Sequence, residues 1–197
     1  MLKDKKLIQA VKKLSADSVP TISGWSFRLV ALRYQDSLLS TIGSFKRGGR
    51  YNIAQQFEAL YVSGSPITAL KEIRYLINTP AGVSAYPTRP YILLSLEYQL
   101  HGVIDLTDSY VRNFLDTNMQ ELTGSWYDFI EEEEIAPTQR LGKIAYDLEV
   151  QALKVPSSVD LENSGFNLVI FPENLSPNGL GFVEIYDPDG EFKQRLP

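Results

Sequence analysis

The stretch Gly48-Gly-Arg-Tyr-Asn-Ile-Ala-Gln-Gln-Phe-Glu-Ala-Leu-Tyr-Val-Ser-Gly-Ser-Pro-Ile-Thr-Ala-Leu-Lys-Glu72 carries three kinds of local structure in 25 residues. Gly48 and Gly49 open it as a turn, where a missing Cβ permits unusual backbone angles and close approach of a ligand. Arg50 follows with a planar guanidinium suited to phosphate or carboxylate. Ala59, Tyr61 and Ser63 then alternate with Leu60 and Val62, the period of two expected of a strand. Ser65 is placed to cap a helix, with Pro66 at its first position. Ala69, Leu70, Ile73, Leu76 and Ile77 recur at helical spacing and predict a helix from Pro66 to Ile77, with Glu72 off the apolar stripe. Turn, strand and helix in this order allow a cation, an aromatic ring and a carboxylate to face one cleft.

Toward the N-terminus, Pro20 and Gly24 bound the entry to a strand over Trp25–Leu32, with Arg28 in it and Arg33 beyond its end. Ser37–Arg47 reads as a polar loop. Lys46, Arg47 and Arg50 form a local positive cluster that either holds an anion or stays solvated. Residues 3–14 are amphipathic: Leu7, Ile8, Val11 and Leu14 make a stripe and five lysines cover the rest, the pattern of a basic surface helix.

Toward the C-terminus, Thr79–Pro90 reads as a linker and Tyr91–Glu97 as a strand. His101, the single histidine, reads as a turn residue. Val103–Leu106 is a short strand, and Asp108 caps a brief helix through Val111 and Leu115. Residues 116–136 are irregular, with Trp126 and Tyr127 able to wall a pocket or fill a core. The acidic run Glu131–Glu134 is solvated. Pro137 opens a helix whose buried face is Leu141, Ile144, Ala145, Leu148 and Ala152, ended by Val155-Pro156 because proline disfavours helical angles in the residue before it. Phe166–Phe171 and Gly181–Tyr186 read as strands, and Asp187-Pro-Asp-Gly as a turn. Strands and helices do not alternate as βαβ units, so the expected class is α+β, with mixed or antiparallel sheets and flanking helices.

At 197 residues the chain is long enough for one domain with a sizeable core. A formal charge of −5 argues against direct nucleic-acid binding. Without cysteine there is no thiolate zinc site and no thiol nucleophile, and with one histidine no multi-histidine site, so no metal is expected. The absence of cysteine fits a reducing cytoplasm. No apolar run is long enough to span a membrane, and no signal-peptide pattern opens the chain. Neither a phosphate-loop lysine motif nor a GxGxxG fingerprint occurs.

Taken together, Phe27-Arg28, Gly48-Gly-Arg-Tyr-Asn52, Ala59-Leu-Tyr61, Ala69-Leu-Lys-Glu72, Val155-Pro-Ser157 and Asn167-Leu-Val-Ile-Phe-Pro172 form an ordered set that resembles the RES domain, named for an arginine, a glutamate and a serine spread along the chain. The resemblance spans roughly residues 25–196. It divides the chain into an N-terminal basic helix, residues 1–20, and a RES domain, residues 21–197. The resemblance implies a fold similar to that of ADP-ribosyltransferases. It also implies a toxin that destroys NAD⁺ and is neutralised by a helix-turn-helix antitoxin. By motif position the arginine falls on Arg28, the glutamate on Glu72 and the serine on Ser157, with Arg50, Tyr61 and Asn167 as further site residues. Arg33 and Ser158 are the alternatives to Arg28 and Ser157; Phe27 favours Arg28. Tyr51 stands where the family often has tryptophan.

These residue types suit the implied chemistry. Two arginines, Arg28 and Arg50, can neutralise a pyrophosphate, and Tyr61 can stack on nicotinamide. Breaking the nicotinamide–ribose bond gives an oxocarbenium-like transition state, as in glycoside hydrolysis. Nicotinamide is already cationic in NAD⁺ and leaves neutral, so no general acid is needed and one carboxylate, Glu72, can suffice. NAD⁺ is then substrate rather than cofactor. The acceptor is water or phosphate. Transfer of ADP-ribose to a protein is the alternative within this chemistry, and a catalytically silent binding protein the alternative outside it.

Overall fold

The computed structural model describes residues 1–16, 21–74, 76–79, 82–85, 89–132, 134–175 and 181–197. In chain order the elements are α1 (Asp4–Ala16), β1 (Ile22–Ala31), α2 (Ile42–Arg47), β2 (Leu60–Ser63), α3 (Pro66–Glu72), β3 (Leu76–Thr79), β4 (Gly82–Ala85), β5 (Tyr91–Leu100), β6 (Val103–Asp105), α4 (Ser109–Phe114), α5 (Met119–Thr123), α6 (Tyr127–Glu131), α7 (Pro137–Asp147), β7 (Ala152–Pro156), β8 (Phe166–Ile170), α8 (Pro172–Leu175), β9 (Phe182–Ile185) and β10 (Arg195–Leu196). Short 3₁₀ turns cover Leu32–Ser37 and Leu161–Asn163. Among the described residues no helix is long and apolar enough to cross a membrane.

One eight-stranded sheet, in the order β10-β9-β5-β1-β2-β8-β7-β6, organises the molecule, and β3 pairs with β4 in a separate hairpin. Every pairing is antiparallel except β6 with β7. The α+β reading with a mixed, mostly antiparallel sheet is therefore correct. The period of two in β2 separates two cores. Leu60 and Val62 pack with Leu168, Ile170, Leu94, Leu96 and Leu100 on one face. Ala59 and Tyr61 pack with Val169, Leu153, Phe57 and Phe171 on the other, under α1 and α7. The stripe of α1 reaches that second core through Leu7 and Val11, both fully buried, while its lysines stay exposed.

Several expected boundaries move. The helix begun at Pro66 stops at Glu72, and Leu76 and Ile77 belong to β3. The helix begun at Pro137 stops at Asp147, so Ala152 lies in β7 and Val155-Pro156 ends a strand instead. Ser37–Arg47 contains α2, residues 116–136 contain α5 and α6, and the span from Thr79 to Pro90 holds β4 in its described part. Each of these helices is only five or six residues long, too short for an apolar period to appear in the sequence.

Candidate functional site

Glu72 ends α3, and its position is set by what starts and stops that helix. Ser65 Oγ accepts the Thr68 amide at 3.0 Å with Pro66 at the first turn, the predicted cap. Two residues past Glu72, Arg74 takes a left-handed φ of 58° and turns the chain away into β3. The exposed Glu72 carboxylate is then met by two donors from distant strands. Ser157 Oγ donates to Glu72 Oε1 at 2.8 Å, and Asn167 Nδ2 donates to the same oxygen at 2.5 Å. The other oxygen, Oε2, has no protein partner among the described residues.

The sheet register explains the second donor. Phe27, Ser63, Asn167 and Val155 lie directly opposite one another across β1, β2, β8 and β7 and so share a face. Ser63 Oγ donates to Asn167 Oδ1 at 2.8 Å, which fixes the amide with its NH₂ toward Glu72. Ser157 follows β7, is fully buried, and donates its backbone N–H to Gly165 O at 2.8 Å, whereas Ser158 beside it is exposed. Of the two adjacent serines, Ser157 is the one that meets the carboxylate.

A second network holds this corner from behind. Lys71, next to Glu72, forms an ion pair of 2.6 Å with Asp160, three residues past Ser157, and the two side chains are 4% and 3% exposed. Thr68 Oγ1 and Asn163 Nδ2 also donate to Asp160, each at 2.7 Å. Burial alone would raise the Asp160 carboxyl, but the hydrogen bonds from Lys71, Asn163 and Thr68 outweigh it and hold the group below the usual carboxylate range. No local pattern marks this pair, because Lys71 and Asp160 lie 89 residues apart in the chain.

Glu72 opens onto a cavity of about 170 Å³ lined with Phe27, Arg28, Tyr61, Ile73 and Asn167. The Tyr61 hydroxyl accepts the Tyr51 amide at 3.1 Å and donates to Asn52 Oδ1 at 2.9 Å, so its ring is held against the glycine turn. Burial pushes that hydroxyl well above the usual phenol range, which keeps it a neutral donor. A Cβ on Gly49 would lie 2.6 Å from the Tyr61 hydroxyl, so this contact requires glycine. Gly48 has φ 70°, as the turn reading expects.

Arg28 is half-buried and donates from Nη2 to Ser40 O at 2.8 Å, while the buried Nη1 has no partner. Burial lowers its pKa to about 10, which leaves the guanidinium charged at neutral pH. Arg28 and Leu29 also line a larger cleft of about 610 Å³, shared with Arg33, Lys46, Arg47 and Arg89. Arg28 thus stands where the two spaces meet, and Arg33 lies only on the outer one.

Arg50 is elsewhere. Its Nη1 donates to Gly124 O at 2.5 Å and its Nη2 to Thr123 O at 3.4 Å, at the end of α5, and it lines neither space. The turn that carries it is bound on its other side by Gln139 Nε2, which donates to Gly49 O at 3.1 Å. The structure thus brings Tyr61 and Glu72 to one cavity, while Arg50 lies apart from it with two of its guanidinium donors on carbonyls. Tyr51 is a core residue, and Trp126 packs at a tilt against the exposed Tyr127 outside both spaces. Among the described residues no group of three or more His, Asp or Glu side chains is arranged to hold a metal ion.

The chain is 28% identical over 160 residues to the NAD(+) phosphorylase MbcT of Mycobacterium tuberculosis (strain ATCC 25618 / H37Rv), covering 80% of each chain, and equally to the same-named protein of Mycobacterium bovis. Its structure is similar to that in the crystal structure of the M. tuberculosis MbcT–MbcA toxin–antitoxin complex, with a TM-score of 0.60 and 19% identity over 93% of this chain and 91% of that one. The RES domain model matches residues 26–193. On that match, which takes in every residue placed around Glu72, this chain belongs to the RES domain family.

Proposed function

We propose that this protein cleaves the nicotinamide–ribose bond of NAD⁺ with phosphate as the acceptor, and that it acts as the toxin of a toxin–antitoxin pair. The observation that carries this reading is the Glu72 carboxylate. One of its oxygens is fixed by Ser157 and Asn167 and the other is open, at a small cavity joined through Arg28 to a cationic cleft. The 28% identity to an NAD(+) phosphorylase over 80% of the chain supports the phosphate acceptor.

In this reading Glu72 Oε2 holds a hydroxyl of the nicotinamide ribose and lies beside the developing positive charge. The C1′–N1 bond breaks, its electron pair returns to the pyridinium nitrogen, and nicotinamide leaves neutral without a proton from the enzyme. A phosphate oxygen then bonds to C1′. Ser157 and Asn167 keep the carboxylate from swinging as charge develops, the preorganisation that carries most of an electrostatic catalyst's effect. Arg28, whose guanidinium stands where the two spaces meet, supplies positive charge to the pyrophosphate, and the Tyr61 ring forms a wall for nicotinamide.

The test is purified protein incubated with NAD⁺, with and without inorganic phosphate, and products identified by mass. Nicotinamide together with a phosphorylated ADP-ribose, formed only when phosphate is present, is the expected result. ADP-ribose alone would make water the acceptor. ADP-ribose on a protein, without free sugar product, would replace this reading with protein modification.

A further inference from the structure

The outer cleft carries more positive charge than NAD⁺ can use. Besides Arg28 it is lined by Arg33 from the 3₁₀ turn after β1, Lys46 and Arg47 from the last turn of α2, and Arg89 from the approach to β5. Among the described residues no aspartate or glutamate lines it, in a chain with 24 acidic and 19 basic residues. Among the described residues none of these four cations forms an ion pair. The last turn of a helix favours Lys46 and Arg47, and Arg33 and Arg89 lie over the Tyr34 and Tyr91 rings, with Arg89 Nε also donating to the Tyr91 hydroxyl at 2.8 Å; none of these contacts neutralises their charge.

Because Arg28 lines both spaces, a dinucleotide with its nicotinamide ribose at Glu72 would pass its pyrophosphate over Arg28 and its adenosine into this cleft. In NAD⁺ the adenosine ribose carries no phosphate; in Rossmann folds, a different architecture, a carboxylate holds the ribose hydroxyls of NAD⁺ and an arginine accommodates the ribose phosphate of NADP⁺, and the same charge logic applies here. Among the described residues this cleft offers arginines and no carboxylate. A phosphate monoester carries about −1.5 to −2 charge at pH 7, which suits several cations at once.

We propose that Arg33, Lys46, Arg47 and Arg89 bind the phosphate on the adenosine ribose of NADP⁺, so that the protein cleaves NADP⁺ at least as well as NAD⁺. The proposal rests on the assignment of Glu72 to nicotinamide–ribose cleavage. The bond changes are the same: C1′–N1 breaks, nicotinamide leaves with the electron pair, the acceptor oxygen bonds to C1′, and the third phosphate is untouched.

The experiment measures nicotinamide release from NAD⁺ and from NADP⁺ by the wild type and by an Arg33→Ala/Arg47→Ala double variant. In the wild type, kcat/KM for NADP⁺ should equal or exceed that for NAD⁺. The double variant should lose about tenfold or more for NADP⁺, through KM, and stay within about twofold for NAD⁺. A wild type that cleaves NAD⁺ but prefers it tenfold over NADP⁺ overturns the proposal, as does a variant that loses both substrates equally. A variant whose KM for inorganic phosphate rises while its NADP⁺/NAD⁺ ratio stays fixed would assign the cleft to the acceptor phosphate and also overturn it. Calorimetry of adenosine 2′,5′-bisphosphate against adenosine 5′-monophosphate decides the matter without turnover. Tighter binding of the bisphosphate by about tenfold, lost in the double variant, supports the cleft even if neither dinucleotide is cleaved, and equal binding refutes it. Failure of both cleavage reactions alongside that selectivity would count against the Glu72 assignment alone.

Discussion

A carboxylate with one oxygen tied and one open differs in kind from a surface glutamate, and Glu72→Gln isolates its charge. The amide keeps the size and can still accept from Ser157, so the variant should fold with an unchanged melting temperature. Nicotinamide release should fall about 10²-fold or more, as when other electrostatic stabilisers are removed; turnover equal to wild type would take Glu72 out of the reaction. Arg28 makes the converse case. Its buried Nη1 is a charged donor without an acceptor, which costs stability in the free protein. Arg28→Met should therefore leave the melting temperature unchanged or raise it, while KM for NAD⁺ rises by at least tenfold, since a charged hydrogen bond contributes about 1.5–3 kcal/mol. A lower melting temperature with unchanged KM would make Arg28 structural. The motif order places Arg28 and Glu72 in the sequence, but which hydrogen-bonding atoms stay unpaired depends on residues such as Ser40 and Asn167 that only the fold brings near.

At the scale of elements, α3 is fastened to the segment after β7 by the Lys71–Asp160 pair, and the pair's cost and benefit can be separated. Lys71→Met leaves Asp160 buried without its cation and should cost about 3–5 kcal/mol in denaturant unfolding, whereas a Lys71→Met/Asp160→Leu double variant should recover most of that. The Asp160 carboxyl lies below its unfolded value near 3.9. Its contribution is thus present above that pH and lost as pH falls through the lower folded value. Stability of the double variant should accordingly vary less with pH below about 4 than that of the wild type. A wild-type curve as flat as the variant's would show that Asp160 gains nothing from folding. The ends of α3 and α7 were not legible, for a shared reason. Each helix stops at a left-handed residue that is not glycine, Arg74 and Glu149, with φ of 58° in both. Glycine marks such a stop in a sequence; arginine and glutamate do not. The apolar residues beyond, Leu76 and Ile77 or Ala152, then read as further helical turns. By contrast the cap at Ser65 and the alternation in β2 were legible because each depends on neighbours within a few residues.

For the molecule as a whole, the sheet class was legible because the strands announce themselves by alternation and lack regular helical crossovers between them. The gathering of Arg33, Lys46, Arg47 and Arg89 around one cleft was not, since these residues come from three separate segments. Because the site also draws on β1, α3, the segment after β7, and β8, a bound ligand ties the large sheet and its flanking helix together. ADP-ribose at 100 times its Kd should then add about 2.7 kcal/mol to global stability, or roughly 5–10 °C in melting temperature. Arg28→Met should show little shift at the same concentration; a full shift in that variant would place the ligand elsewhere. The separation of the parts has a further consequence, in the timing of synthesis. Glu72 lies 85 residues before Ser157 and 95 before Asn167. A ribosome that has made the glutamate has made neither donor, and β2 still lacks its partner β8. Chains halted anywhere before residue 167 carry no assembled site, so a cell making this protein meets its activity only after nearly the whole sheet has been translated and has closed.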